Sequence, residues 1–551
     1  MPSRSEGRKE QGKPEQALVT LGAILILAIL MILVTVLISP GLQELRFSES
    51  LDSAQVARNL SRGEGFTTSV ARPLQLRQYP QATWPLPDLS LPPLFPCVLS
   101  MVLRVMETND KTVAVTSSLF LVFLLVALLV WGNRTGGLVT ACLATLMIVL
   151  HLEMILASSS GLPITLACFL AFLSWATLVS KDKPGPIDAL IAGIFMGGSA
   201  LAMYGSATFL VAGFIYIILR ERSKRCVVIA LALLGGFLLS TSPWLLRNLS
   251  VTGRPWGTLR WVDLSTFTAT HLGLQTIREF SPEPFSLKNF LLSNPIQVLN
   301  RVLRFSLDFS LDLPRRWSWI VLVLAFASWF KEGLPEKMKR LRSLTFLSLC
   351  IYIPFASLFA YGTDGLLLFF PPIALVAASL MIHLFQSTRT KTEVSFGMKN
   401  NLSSLGICVL CFLLIALPLL RSVFATQVPF PPLMDGDLRL LEDKIEKEAV
   451  VATDVPFALA WHCDRKTVWL PLGIGQLAAL CEDREEIRYL YLSASILMYP
   501  GTENPDRWKQ TYLQKSHVPG FQLDPRFSGF GVLYKRLDKE REPRMIGPDG
   551  E

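Results

Sequence analysis

Charge is scarce in this chain. Of its 551 residues only 17% are Asp, Glu, Lys or Arg, where soluble globular proteins carry about a quarter, and 51% are hydrophobic, with a mean hydropathy of +0.44. That shortage excludes a soluble enzyme and points to a polytopic membrane protein. Histidine is rarer still, at five residues, and His151 and His383 stand alone and read as structural. The nine cysteines are scattered, mostly within apolar runs, and the close pair Cys408 and Cys411 also falls inside one. They read as small buried hydrophobes rather than metal ligands. Cys463 and Cys481 lie in the more polar tail and are placed to bridge if that tail is extracytoplasmic. Internal repeats, low-complexity tracts and the aromatic-basic patches of nucleic-acid binders are missing, so the net charge of +9 is assigned to lipid phosphates and anionic headgroups.

Long apolar runs are abundant. Residues 17–39 carry no charge and no proline, enough to cross roughly 30 Å of hydrocarbon as a helix. Arg4, Arg8, Lys9 and Lys13 precede them, which predicts a cytoplasmic tail over 1–16 and a retained signal anchor. Further runs occur near 91–107, 112–131, 136–151, 161–179, 187–203, 205–219, 226–243, 317–330, 343–361, 365–385 and 403–424. An all-α polytopic membrane domain of about 11–13 helices over 17–426 is expected. Basic stretches at Arg220 to Arg225, Lys331 to Arg342 and Arg389 to Lys399 read as cytoplasmic, which puts the loop 244–316 and the tail outside. Counting back to residue 131 leaves one segment too many. Either the proline-rich run from Leu91 is no simple crossing, or hydropathy miscounts by one.

Two other regions stand out. The first extracytoplasmic loop, 40–90, holds an amphipathic stretch, Leu51 to Leu60, expected along the bilayer interface. From 427 to 551 the composition becomes that of a soluble domain. A helix near Asp437 to Lys447 and strand-like Ala449–Asp454, Thr467–Leu470, Arg488–Leu492 and Gly531–Tyr534 predict a small α/β extracytoplasmic domain.

Glu49 and Asp52 stand three apart at the start of a predicted helix and share a face. A carboxylate there is suited to take a proton from an attacking hydroxyl; the plainer alternative is that Ser48 or Ser50 caps the helix and the acids favour its positive end. Arg247, where an outward-going helix ends, is suited to grip a phosphate with paired N–H donors, or to snorkel to the interface. Arg58, Arg62, Arg72 and Arg77 make a basic rim on the first loop. Glu153, an acid inside the apolar 136–179 stretch, is a possible second acid.

These pieces carry a resemblance. Glu49-Ser-Leu-Asp52, followed by Ala57-Arg-Asn59-Leu60 and Gly63-Glu-Gly65-Phe66, resembles the first-loop signature of bacterial GT-C glycosyltransferases of the protein-mannosyltransferase and aminoarabinose-transferase type. Leu91-Pro-Pro-Leu-Phe-Pro96, Pro243-Trp244-Leu-Leu-Arg247-Asn248 with Gly253-Arg-Pro255, and Thr453-Asp454-Val-Pro in the tail are similar to later elements of that family. Order and spacing agree over most of the chain. There are departures: Glu49 where the family has aspartate, Ser53 for a tyrosine, Leu91 for a phosphate-binding lysine in some members, and Gly365 to Pro371 without its arginine.

The resemblance implies an integral membrane glycosyltransferase, hexosyl or pentosyl, of the multi-pass inner or plasma membrane. It would transfer a sugar from a polyprenyl-phosphate donor to an extracytoplasmic lipid, glycan or protein acceptor by inverting displacement. Glu49 and Asp52 would be the catalytic acids, and Arg247, Arg58 and Arg62 the binders of the donor phosphate. No cofactor is required by this reading; a divalent metal is possible, but the visible acids name no metal site, and nucleic acid is not an expected partner. The alternatives are a lipid or glycan transporter or flippase, against which the lack of repeats and of mid-membrane charges counts, and a noncatalytic membrane scaffold.

Overall fold

A computed structural model of the chain describes residues 45, 47–81, 83–255, 276–280, 292, 295–358, 363–392, 417, 435–498 and 505–537. The expected tail 1–16, the anchor 17–39 and, save Leu417, the run 403–424 lie outside the described residues.

The first loop forms helix α1 (Ser48–Ser61), strands β1 (Thr67–Thr68) and β2 (Val70–Ala71), helix α2 (Pro73–Gln78) and strand β3 (Leu86–Pro87). The bundle follows with α3 (Leu94–Leu103), α4 (Asp110–Gly136), α5 (Leu138–Val149), α6 (Leu152–Ser159), α7 (Ile164–Val179), α8 (Pro186–Ala202) and α9 (Thr208–Arg220). It continues with α10 (Arg225–Thr252), α11 (Pro295–Trp317), α12 (Trp319–Ala327), α13 (Glu336–Leu358) and α14 (Phe370–Thr392). The tail holds α15 (Asp435–Lys444), β4 (Val450–Thr453), α16 (Pro456–His462), β5 (Lys466–Trp469), α17 (Ile474–Asp483), β6 (Ile487–Leu492), α18 (Pro505–Gln514), β7 (Phe521–Leu523) and β8 (Val532–Arg536).

Among the described residues four segments are long and apolar enough to cross a bilayer: α4, α10, α13 and Asp364–Phe385; the pair α5 and α6, bent by 65° at their break, adds a fifth if it is one span. Shorter apolar helices, α7 and α8 among them, fill out the bundle. Helix α3 has ten residues, a rise of about 15 Å, half the hydrocarbon thickness. A helix of that length does not cross as one straight span, which agrees with the reading of the run from Leu91 as no simple crossing.

Helix α4 defines the two ends of the bundle. At its start Asp110 accepts from the Leu45 amide (2.9 Å) and the Trp461 indole (2.6 Å). About 30 Å along the helix, Trp131 donates to Ser180 (3.1 Å). Near that second end Arg340 pairs with Asp182 and Lys183 with Glu221. The bundle core between the ends is aromatic: Trp175 packs on Phe209 at 4.8 Å, and Phe369 lies 5.5 Å from Phe209 and 5.3 Å from Tyr352. Helices α8 and α10 approach so closely at Gly193, Gly197 and Gly236 that a Cβ there would overlap the facing helix, the small-residue contact typical of membrane helices. That contact fixes α10, which carries Trp244 and Arg247.

The tail sheet runs β2-β5-β4-β6-β8-β7, with β2, β5, β4 and β6 parallel and β8 and β7 antiparallel. Its four expected strands are present within a residue or two. Its edge strand β2 comes from the first loop, pairing Val70 with Thr467 and Ala71 with Val468, so the sheet is not confined to 427–551. Cys463 and Cys481 are both free and buried, and they belong to the separate apolar clusters packed in this domain; the bridge considered for them does not form.

Candidate active site

Helix α1 is not laid along the bilayer surface as its amphipathic pattern suggested. Every residue from Ser50 to Asn59 is buried, because α1 packs between α3, β1 and α16. Its N-cap is Phe47, with no side-chain cap, so neither Ser48 nor Ser50 plays that part. At its other end Gly63 (φ 85°) and Gly65 (φ 77°) take the left-handed backbone that glycine tolerates, and the chain reverses into β1. The reversal brings Thr68 and Ser69 back onto α1. Gln55 donates to the Thr68 hydroxyl (2.8 Å) and accepts from the Ser69 amide (2.8 Å), and Asn59 donates to the Ser69 hydroxyl (3.2 Å).

Asp52 lies inside this enclosure. Arg72, at the end of β2, donates to one carboxylate oxygen at 2.5 Å, and Gln55 donates to the other at 3.0 Å. The same guanidinium meets Asp88 at 3.4 Å. All three side chains are buried, Asp88 completely. Asp88 is held in turn by the amides of Ser90 (3.0 Å) and Leu91 (2.8 Å), the local turn that aspartate favours. The two acids share one buried guanidinium. Burial pushes the Asp52 carboxyl up to about 6, with Arg72 opposing and Asp88 adding to the rise.

Arg247 reaches this cluster from α10. It donates to the backbone carbonyl of Asp88 at 2.7 Å and to that of Phe66 at 3.1 Å, and its guanidinium stacks over Trp244 (4.7 Å) and Phe66 (5.5 Å). The Trp244 indole donates to the Tyr204 hydroxyl (3.0 Å), which donates to the Leu91 carbonyl (2.9 Å). Asp52 and Arg247, far apart in sequence, thus stand at one end of the bundle, joined through Arg72 and Asp88. Glu49 is exposed on the first turn of α1, close enough for its charge to raise Asp52 slightly.

Arg58 and Arg62 are engaged elsewhere. Arg58 donates to the carbonyls of Trp461 and Ala460, both at 2.7 Å, and pairs with Asp464 at 2.7 Å; Arg62 binds both oxygens of Asp464. They fasten α1 to the tail domain. Glu153, beside the α5–α6 break, pairs with Arg316 at 2.9 Å, and Arg316 also meets Asp312 (3.1 Å) and Asp364 (2.7 Å). The stretch Gly365 to Pro371, which lacks its expected arginine, is a buried apolar turn whose Leu366 carbonyl accepts from Trp317 (2.8 Å).

Sequence reasoning placed Arg72 on an outer rim and passed over Asp88. The signal for Asp88 was there: aspartate two residues before a serine that opens Leu-Pro-Pro is a turn former. Nothing local marked Arg72, because its burial depends on β2 joining a sheet formed almost four hundred residues later. Among the described residues no group of three or more His, Cys, Asp or Glu side chains is arranged to hold a metal ion. Beside Asp52 the place of a cation is filled by a guanidinium and both oxygens have donors, a set that does not fit a divalent ion.

No family model and no curated protein matches the chain. Solved structures do. The archaeal oligosaccharyltransferase AglB from Archaeoglobus fulgidus, in complex with an inhibitory peptide and a dolichol-phosphate, is similar at 11% identity over 96% of this chain and 75% of that one, with a TM-score of 0.52. The apo form of the Archaeoglobus fulgidus enzyme gives 0.53 at 11% identity, over 95% and 75%. ArnT from Cupriavidus metallidurans bound to undecaprenyl phosphate matches over 95% and 99% at 11% identity, with a TM-score of 0.41. The chain has a GT-C-type fold: an all-α, multi-pass membrane bundle with a small α/β domain packed on one end.

Proposed function

We propose that this protein is a membrane glycosyltransferase that moves a sugar from a polyprenyl-phosphate carrier to an acceptor hydroxyl on the extracytoplasmic side. The observation that carries this reading is the chain of contacts Asp52–Arg72–Asp88–Arg247, an acid that titrates near neutrality held beside a half-buried guanidinium at the mouth of a membrane bundle. The dolichol-phosphate in the AglB structure supports the class of donor. The basic end of the bundle, with Lys183, Arg340 and Arg342, faces the cytoplasm by the positive-inside rule, which puts Asp52 and the tail domain outside.

Asp52 is the general base in this mechanism, with Glu49 at the site's open edge. The acceptor oxygen attacks the anomeric carbon while its proton passes to Asp52; the bond from that carbon to the phosphate oxygen breaks, its electron pair leaves with the phosphate, and configuration inverts. A carboxyl near 6 is suited to this, being ionised at neutral pH yet basic enough to accept the proton. Arg247 uses only part of its donor set on backbone carbonyls, and its remaining N–H groups stabilise the departing phosphate. No step is routed through a metal. Purified protein given labelled polyprenyl-phosphate sugars and a crude acceptor fraction should transfer label, and Asp52→Asn should stop it. Undiminished transfer by that variant removes Asp52 from the chemistry.

A further inference from the structure

A second charged cleft lies on the far side of α1. Six residues separate Asp52 from Arg58, which turns the side chain about 120° round the helix and some 9 Å along it. The cleft measures about 610 Å³ and is lined by Arg58 and Arg62 from α1, by Thr108 to Lys111 at the amino end of α4, and by Trp461 and His462 of α16. It is built rather than incidental. Arg58 is only 3% exposed, and its Nε has no hydrogen-bond partner among the described residues. Although burial lowers this guanidinium to about 10, with Asp464 opposing, it stays charged at neutral pH. The amino end of the 27-residue α4, capped by Asn109 and with Asp110 offsetting its positive charge, opens on the same space, so the charge offered there comes from Arg58, Arg62 and Lys111. Lys111 has no carboxylate partner among the described residues and is exposed.

What surrounds the cleft says what it binds. Met101, Val105 and Met106, just before it, are 66%, 88% and 54% exposed, far more apolar surface than water would favour and natural for a segment dipping into lipid. On α4, Val115, Leu119, Phe123, Val126 and Val130 are exposed at helical spacing on the face that Lys111 heads. This apolar lane extends about 28 Å from Lys111, nearly the depth of the bilayer. An anion with an acyl chain fits such a charge at the head of such a lane; a water-soluble anion would have no use for the lane.

We infer that this cleft binds the phosphate of an anionic glycerophospholipid from the outer-facing leaflet, its chain lying along α4 and its headgroup between α1, α4 and α16. The lipid would join α1, α4 and α16 without touching the reaction. The inference needs only the membrane setting and stands apart from the proposed transfer.

The test is native mass spectrometry of the delipidated full-length protein in detergent, titrated with phosphatidylglycerol, phosphatidylcholine and, in thermal-shift format, inorganic phosphate. Phosphatidylglycerol is expected to bind at one site and raise the melting temperature. Lys111→Glu should weaken that binding about tenfold, while Lys111→Arg keeps it; Lys111 is exposed, so both variants fold. A Leu119→Ser change in the lane should weaken the lipid as well. Equal binding by wild type and Lys111→Glu overturns the site. Stabilisation by inorganic phosphate matching that by lipid, or indifference to Leu119→Ser, overturns the lipid and leaves a free anion. Equal binding of phosphatidylcholine overturns the requirement for net negative charge.

Discussion

Two arginine knots sit at the same end of this molecule, each binding one guanidinium to several carboxylates. In the first, Arg72 holds Asp52 and Asp88, with side-chain exposures of 3%, 6% and 0%. In the second, Arg316 holds Glu153, Asp312 and Asp364, at 13%, 27%, 20% and 62%. The chemical inventory is nearly the same and the environments are not. The second knot is more open to solvent, so gathering its acids costs less. The first is closed off from solvent, and Asp52 is the group that responds. Composition alone would have ranked the Arg316 knot higher, with three acids against two. Burial reverses the order.

The difference can be broken most sharply at Asp52. Asp52→Asn should cut sugar transfer about 10²–10⁴-fold, the range for a lost general base, while Glu49→Gln and Glu153→Gln cost less than about tenfold in the same radiolabel assay. A Glu153→Gln loss as large as that of Asp52→Asn would move the base to the second knot. Next in size is the removal of each arginine. Arg72→Ala strands two buried carboxylates and should destabilise by about 3–5 kcal/mol, whereas Arg316→Ala should cost no more than about 1 kcal/mol, both measured by denaturant midpoint in detergent.

The pH response sharpens the same contrast. Transfer by wild type should fall as pH drops through about 6, where Asp52 takes up its proton. Stability should move the other way: the folded state holds this proton more tightly than the unfolded chain, so the stabilisation is complete below about 4 and is lost as pH rises through about 6. Asp454, buried in the tail domain and also pushed to about 6, titrates in the same window. The part of the slope that vanishes in Asp52→Asn therefore belongs to the knot. The smallest effect is expected at Arg62→Ala, which breaks only the half-exposed pair with Asp464: below about 1 kcal/mol, read as a shift in melting temperature.

Much of the architecture was legible without coordinates. Apolar runs at helical length announced α4, α10 and α13, because a bilayer demands runs of that length. Alternation and β-branched residues announced β4, β5, β6 and β8. The run from Leu91 misled because hydropathy counts apolar residues and not rise, and Arg104 caps α3 after ten. Leu51 to Leu60 misled for the opposite reason: its polar residues, Asp52, Gln55 and Asn59, are buried against partners supplied by β1, Ser69 and Arg72, which the helical pattern reads as a wet face. Arg58 and Arg62 were legible as anion-facing groups, but the acid that claims them, Asp464, lies four hundred residues away.

By itself the sequence determined that this chain lives in a membrane and that acids and arginines gather beside long apolar runs, since each follows from local composition and spacing. Only the tertiary structure decided which of those charges lose their water. Strand β2 crosses into the tail sheet and carries Arg72 between Asp52 and Asp88; desolvation depends on what packs around a side chain in space, and no window of sequence contains that.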